Sequence, residues 1–272
     1  MVYDILKKTV KKILNNKLKK INALKDLHDG ETCYIMGTGS SIKEMDIMLF
    51  DDKPVIGLNE IIFHKNFINL NKKYLVLTEP FFFYPFQSKF FWKGSWFPIF
   101  NPTSKIIKKM AKENKDILFF LHLSNMFFVS GKNIFYNFLK YTHPGFPSRL
   151  NDLNCFEGAF KHALSLAVLL GFKKVVLVGC DYTFNPPKGK HFYEKGEGIK
   201  LDKKNYHTEF LETIQEFIDL ETITLERDNT VLKSREYSNF KNVSNNYKEN
   251  YELVNQDKLD AIKNTRKNVY HF

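Results

Sequence analysis

Thr32-Cys33-Tyr34-Ile35-Met36 runs directly into Gly37-Thr38-Gly39-Ser40-Ser41, and Ile42 to Leu49 then takes on a helix-like pattern. An apolar run closed by a glycine-x-glycine turn and reopened as a helix is the signature of a strand feeding a crossover. Two similar strands follow. Pro54-Val55-Ile56-Gly57-Leu58 ends at Asn59, and Tyr74-Leu75-Val76-Leu77-Thr78 ends at Glu79-Pro80, where proline closes the ladder. Ile117 to Leu121 reads as a further strand, Gly158 to Gly171 as a helix, and Lys174 to Val178 as a strand ending in Gly179-Cys180-Asp181. Strands that are apolar on both faces and separated by helical stretches predict a parallel α/β sheet covered on two sides.

In such a sheet, ligands bind beyond the carboxyl ends of the strands. The groups expected there are Gly37, Thr38, Gly39, Ser40, Ser41, Asn59, Glu79, Gly179 and Asp181. The two glycines allow a sharp bend and close backbone approach, while Ser40 or Ser41 caps the next helix and helps hold an anion. Asn59 offers a donor and an acceptor to a ribose or base, or else a bond to its own turn. Glu79 suits a ribose diol, a helix cap or a salt bridge.

The loop from Asn185 to Lys200 is rich in proline, glycine and lysine. His191-Phe192-Tyr193-Glu194 and Tyr206-His207 carry titratable and phenolic groups towards the same rim. A histidine there can take a proton from an attacking hydroxyl, and tyrosine hydroxyls can donate to a leaving phosphate. His191, His207 and Asp181 match no established metal-ligand spacing, so no metal is expected. A helix from about His207 to Leu220 and a short strand near Ile223–Leu225 close the core.

Charge is unevenly spread. Of a net +11, residues 1–28 supply +6 through eight lysines against Asp4 and Asp26. Ile5, Val10, Ile13, Leu14, Leu18, Ile21 and Leu24 recur between those lysines at helical spacing, predicting a basic amphipathic helix over residues 1–30. It packs on the domain or a second subunit of a homo-oligomer, or docks on an anionic membrane. Nucleic acid is not the expected partner, since no recognition motif accompanies the charge. Cys33, Cys155 and Cys180 lack CxxC pairing and read as free thiols in a reducing compartment. With no apolar run of membrane-spanning length and no signal-peptide pattern, the expected location is the cytoplasm, extending to the inner face of the membrane. Residues 81–100, half of them aromatic, read as a loop packed on the sheet edge, or as an acceptor-side or membrane-facing patch.

Met36-Gly37-Thr38-Gly39-Ser40-Ser41-Ile42-Lys43-Glu44-Met45-Asp46 resembles the opening G-x-G-x-S-[LI]-K-x-[IM]-D stretch of bacterial family 42 sialyltransferases. A similar opening occurs in Rossmann-like proteins akin to archaeal hydroxymethylpterin diphosphokinases and motility-associated transferases. Asn59, Gly158 to Asp181, and Tyr206-His207 before a helix are also similar to the sialyltransferase pattern. The resemblance implies a Rossmann-like catalytic domain over residues 31–227 with a lid at 182–206; residues 228–272, polar and rich in asparagine and lysine, read as a helical or loosely ordered tail. It implies an inverting glycosyltransferase using a CMP-linked nonulosonic acid such as sialic acid, without a metal cofactor, on a surface-glycan acceptor of lipopolysaccharide type. His207 would be the general base. Tyr182 or Tyr193 would bind the departing phosphate, and Gly37–Ser41, Asn59, Glu157 and Gly158 would line the nucleotide. The chain departs from that pattern at Thr38, Glu79 and Phe156-Glu157, and an added carboxylate repels an anionic donor unless paired. A phosphoryl-transfer enzyme of the diphosphokinase type, or a non-catalytic binding or assembly protein, are the alternative readings.

Overall fold

A computed structural model describes residues 12–71, 73–78, 83, 102–137, 158–202, 207–225, 231–239, 250–254 and 256–260. Its centre is an eight-stranded sheet: β1 (Thr32–Met36), β2 (Val55–Leu58), β3 (Lys73–Leu77), β4 (Ile117–His122), β5 (Ile134–Asn137), β6 (Lys174–Val178), β9 (Asp219–Thr224) and β10 (Lys233–Glu236). The spatial order is β10-β9-β6-β1-β2-β3-β4-β5, and every pairing is parallel. The chain steps outward from β1 to β5, returns to lay β6 beside β1, then steps outward on the other side. The direction therefore reverses between β1 and β6. This is the Rossmann-like architecture that the apolar strands predict.

Alternation along each strand supplies two cores. Tyr34, Met36, Leu75, Leu77, Phe119, Leu121, Val176 and Val178 pack on one face with Phe50, Phe63 and Phe67. Cys33, Ile35, Ile56, Val76, Phe120, Val175 and Leu177 pack on the other against α3 (Gly158–Leu169), through Ala163, Leu166 and Ala167. Cys33 and Cys180 are buried free thiols, and burial pushes the Cys180 thiol up to about 12, which makes it inert. Cys155 lies outside the described residues.

The N-terminal segment covers a sheet edge. A helix over 12–19 (α1) continues as a 3-10 turn, Lys20–Leu24. Leu18 enters one core and Ile21 the other, so the segment straddles β5. Asn133 turns its carbonyl towards β4, leaving the carbonyls of Lys132 and Ile134 pointing outward. Lys20 Nζ donates to both, at 2.7 and 2.8 Å, and stands 4.3 Å from the centre of the Phe135 ring. A lysine thus occupies the backbone acceptors of an edge that would otherwise template another strand. Of the two readings of the basic helix, packing on the domain describes residues 12–24. Residues 1–11 lie outside the described set. Lys20→Met is expected to lower stability by about 1 kcal/mol, read as a shift in the urea midpoint at unchanged slope.

The structure departs from the sequence expectations in four places. Ile42 to Leu49 forms no α-helix but two 3-10 turns, Ser40–Glu44 and Ile47–Phe50, because Met45 is extended and the Asp46 side chain starts a new turn by accepting from the Met48 N–H. The helix expected to reach Leu220 stops early: α4 is Thr208–Ile214, and β9 begins at Asp219. The helix α2 (Pro102–Glu113) and strands β5 and β10 were not anticipated. The stretch after 227, expected as a surface helix or tail, supplies β10 and continues into α5 (Asn250–Leu253), whose Leu253 carbonyl accepts from Lys65 N–H at 2.7 Å. Of the aromatic stretch 81–100 only Phe83 is described; it is buried, and its N–H donates to Asn125 Oδ1.

Candidate functional site

The candidate site lies at the carboxyl edge, where the strand order reverses between β1 and β6. Their two turns interlock. Gly37 N–H donates to Val178 O and Gly39 N–H to Gly179 O, both at 2.8 Å. A Cβ on Gly37 would fall 2.4 Å from the Gly179 carbonyl oxygen, and one on Gly39 2.4 Å from Asp181 Cγ. These glycines are needed first for the fit between the turns, before any ligand arrives.

The polar groups expected around that turn divide into two sets. Asp181 is 2% exposed, and its carboxylate accepts from Ser40 Oγ at 3.0 Å, Ser41 N–H at 3.0 Å and Ser41 Oγ at 2.5 Å. Ser40, Ser41 and Asp181 thereby satisfy one another and hold the first turn to the end of β6. Thr38, Asn59, Tyr182 and His191 are each partly exposed, and Gly158 is exposed with open space around it. Asn59 adopts a left-handed φ of +47°, which asparagine tolerates better than most residues, and its buried Oδ1 has no partner among the described residues. Glu79, Glu157 and Tyr206 lie outside the described residues.

The described part of the segment expected as a lid, residues 182–202, is docked rather than free. Its hairpin, β7 (Lys188–Gly189) and β8 (Ile199–Lys200), is antiparallel, and between them Phe192 and Tyr193 are fully buried in the core that holds β1 and β3. Phe192 N–H donates to Thr38 O at 2.9 Å, His191 bridges Gly39 across the backbone, and Lys43 Nζ donates to Gly196 O. His191 Nδ1 lies 2.8 Å from Thr38 Oγ1, and the ring stacks on Tyr193 with centres 5.1 Å apart and planes 7° apart. Tyr193, a candidate for the leaving phosphate, is thus a core residue under His191. Tyr182 stays at the rim, its hydroxyl pKa raised by burial and then by Glu194 and Asp181.

His207 stands just before α4. It is 7% exposed, its ring centre lies 5.0 Å from that of Phe160 at the start of α3, and burial followed by Lys161 lowers its pKa to about 4. Phe192 and Tyr193 join one core, and the start of α3 joins the other, so the two segments lie on opposite faces of the sheet.

A second polar group was not legible beforehand. His122 and Asn137 are register partners at the ends of β4 and β5, and the Asn137 amide is buried with no partner among the described residues. His162 on α3 senses His122, and burial with that neighbour drops it to about 3. At the amino edge, a cleft of about 670 Å³ opens between Gly30–Thr32 and Asp51–Pro54. Its Asp51 already accepts from Asn71, and Asp52 from Tyr34, so it is set apart from the carboxyl-edge groups. Among the described residues no cluster of histidine, cysteine and acidic groups is arranged to hold a metal ion, and no helix is long and apolar enough to cross a membrane.

No protein-family model and no curated protein matches the chain. Among solved structures, the chain is similar to the sialyltransferase CstII of Campylobacter jejuni in complex with cytidine-5'-monophosphate, at 18% identity and a TM-score of 0.44, covering 87% of this chain and 98% of that one. The same enzyme in complex with CMP-3FNeuAc matches at 15% identity and a TM-score of 0.41, covering 86% and 99%.

Proposed function

We propose that this chain is an inverting glycosyltransferase that moves a nonulosonic acid such as sialic acid from a CMP-linked donor to a hydroxyl of a surface-glycan acceptor. The observation that carries the reading is the reversal of strand order between β1 and β6, at whose carboxyl edge the partly exposed Thr38, Asn59, Tyr182 and His191 stand with the exposed start of α3. The motif resemblance at Met36–Asp46 supports the donor class. In the reaction, the acceptor oxygen bonds to the anomeric carbon as His207 takes the hydroxyl proton. The bond from that carbon to the phosphate oxygen breaks, and CMP leaves with the electron pair. A ring held at about 4 is neutral at physiological pH and so able to accept a proton, and an anion arriving nearby raises its basicity. No metal enters this scheme. Residues 12–24 leave their exposed lysines on the surface, consistent with a protein that works at the inner face of an anionic membrane.

The test combines a thermal-shift screen with turnover. CMP at about a hundred times its Kd is expected to stabilise the protein by about 2.7 kcal/mol, with UMP, GMP and ATP giving much less. His207→Gln is expected to keep the CMP shift and lower kcat on CMP-sialic acid by about 10²–10⁴-fold. Selective stabilisation by ATP, dependent on Mg²⁺, would replace the reading with phosphoryl transfer, and full activity of His207→Gln would remove the base.

A further inference from the structure

We propose that the polar row at the carboxyl ends of β3, β4 and β5, formed by Thr78, His122 and Asn137, is a subsite for an uncharged sugar of the acceptor glycan, with the Asn137 amide as its main contact. The inference deepens the glycosyltransferase reading above and rests on it. The three residues line up by register: Leu77 pairs with Leu121, which puts Thr78 level with His122, and His122 pairs with Asn137. They also share one face. Val76, Phe120 and Phe135, two positions earlier on the same strands, belong to the core under α3, so alternation turns all three polar side chains towards that helix. The Phe120 and Phe135 rings stack with centres 5.2 Å apart. This face therefore changes from apolar to polar at one level across three strands, and His162 of α3 stands near enough to His122 to feel its charge.

Asn137 carries the argument. It is fully buried, and neither its Oδ1 nor its Nδ2 has a partner among the described residues. An amide left this way costs the fold stability on both its donor and its acceptor side. A vicinal diol answers both, one hydroxyl donating to Oδ1 while its neighbour accepts from Nδ2. The His122 ring beside it is fixed by Ser124, whose backbone N–H donates to Nδ1 at 3.1 Å. Thr78 and Asn137 carry no charge, and burial with His122 nearby holds His162 at about 3, neutral at physiological pH, so the group suits a neutral ligand rather than a phosphate or carboxylate. Thr78 and His122 keep 4% and 7% of their surface exposed against none for Asn137 and His162, so a ligand enters over the first two. Neighbouring strands stand about 4.8 Å apart, which sets Asn137 on β5 roughly 19 Å from the turn after β1. That is further than one sugar attached to a phosphate at that turn can span, and it leaves the place to the acceptor.

The probes are methyl β-glucoside, methyl β-galactoside and lactose, with N-acetylneuraminic acid as the anionic control. Each is titrated by NMR into the full chain in the presence of CMP, beside calorimetry of CMP alone. At least one neutral sugar is expected to bind. Asn137→Leu, close in volume, should weaken that sugar by about 10-fold and leave the Kd of CMP unchanged. It should also raise the ligand-free Tm by about 2–4 °C, because an apolar group replaces an amide without partners. Thr78→Val should weaken the sugar by about 3-fold at unchanged Tm. Binding of no neutral sugar overturns the proposal, as does unchanged sugar affinity in Asn137→Leu, which would make an enclosed water the amide's partner. A fall in Tm together with the loss of sugar also overturns it, by making the amide part of the core. If Asn137→Leu does not fold, unchanged sugar affinity in Thr78→Val overturns it. Weaker CMP binding in Asn137→Leu would assign the amide to the nucleotide instead. Failure of the wild-type chain to bind CMP removes the nucleotide reading, and this inference with it.

Discussion

Asp181→Ala is expected to lower the free energy of unfolding by about 4 kcal/mol, a large part of what a domain of this size possesses. The carboxylate is the acceptor for two hydroxyls and one backbone N–H, all buried, and it joins the turn after β1 to the end of β6 across 140 residues of chain. Truncation leaves these donors without an acceptor at a place so closely packed that a Cβ on Gly39 would collide with the Asp181 side chain. Asp181→Asn keeps the shape and one acceptor oxygen, and the serine hydroxyls can reverse to accept from the new amide, so about 1–2 kcal/mol is expected. Urea titration of both variants is the measurement. If Asp181→Ala melts with wild type but loses nucleotide binding, the carboxylate faces the ligand and the pairing with Ser40 and Ser41 is not what holds the turn.

Acidification should be the second large effect. Burial lowers His64 to about 4, His162 to about 3 and His207 to about 4, helped by Lys65, His122 and Lys161 in turn, against 6.5 for a free ring. Below 6.5 the unfolded chain binds protons that the folded chain refuses. The stability carried by these rings is therefore complete above that pH and is lost progressively as pH falls towards 4. At pH 5 each ring accounts for roughly 2 kcal/mol of loss, so the three together remove on the order of 6 kcal/mol. Thermal melts between pH 7.5 and 5 should show a steep fall in Tm, and His162→Gln should flatten that slope even if it lowers Tm at pH 7.5. A Tm independent of pH over that range would mean that the three rings are hydrated in solution.

The parallel sheet was readable from the start because its evidence is local. Four strands, β1, β2, β3 and β6, are apolar on both faces, and that pattern has one physical use. β10 could not be read, since Lys-Ser-Arg-Glu contains no apolar residue; it becomes a strand because Arg235 meets the Glu221 carboxylate, at 2.5 Å, beside Lys174. β9 was only half legible for the same reason, its Glu221 breaking the apolar run while being buried by its partners.

For the site, the sequence alone determined which residues close the strands at the carboxyl edge: Thr38, Asn59 and Asp181 follow from where apolar runs stop. Only the tertiary structure decided which way each of them is used. Asp181 turns inward to two serines, Tyr193 sinks into the core, and His191 is left on the rim against Thr38, 153 positions away. A strand's apolar pattern records its own burial. The partner of a polar side chain is set by whichever distant segment the fold lays across it, and neither residue's neighbours in the chain carry that information.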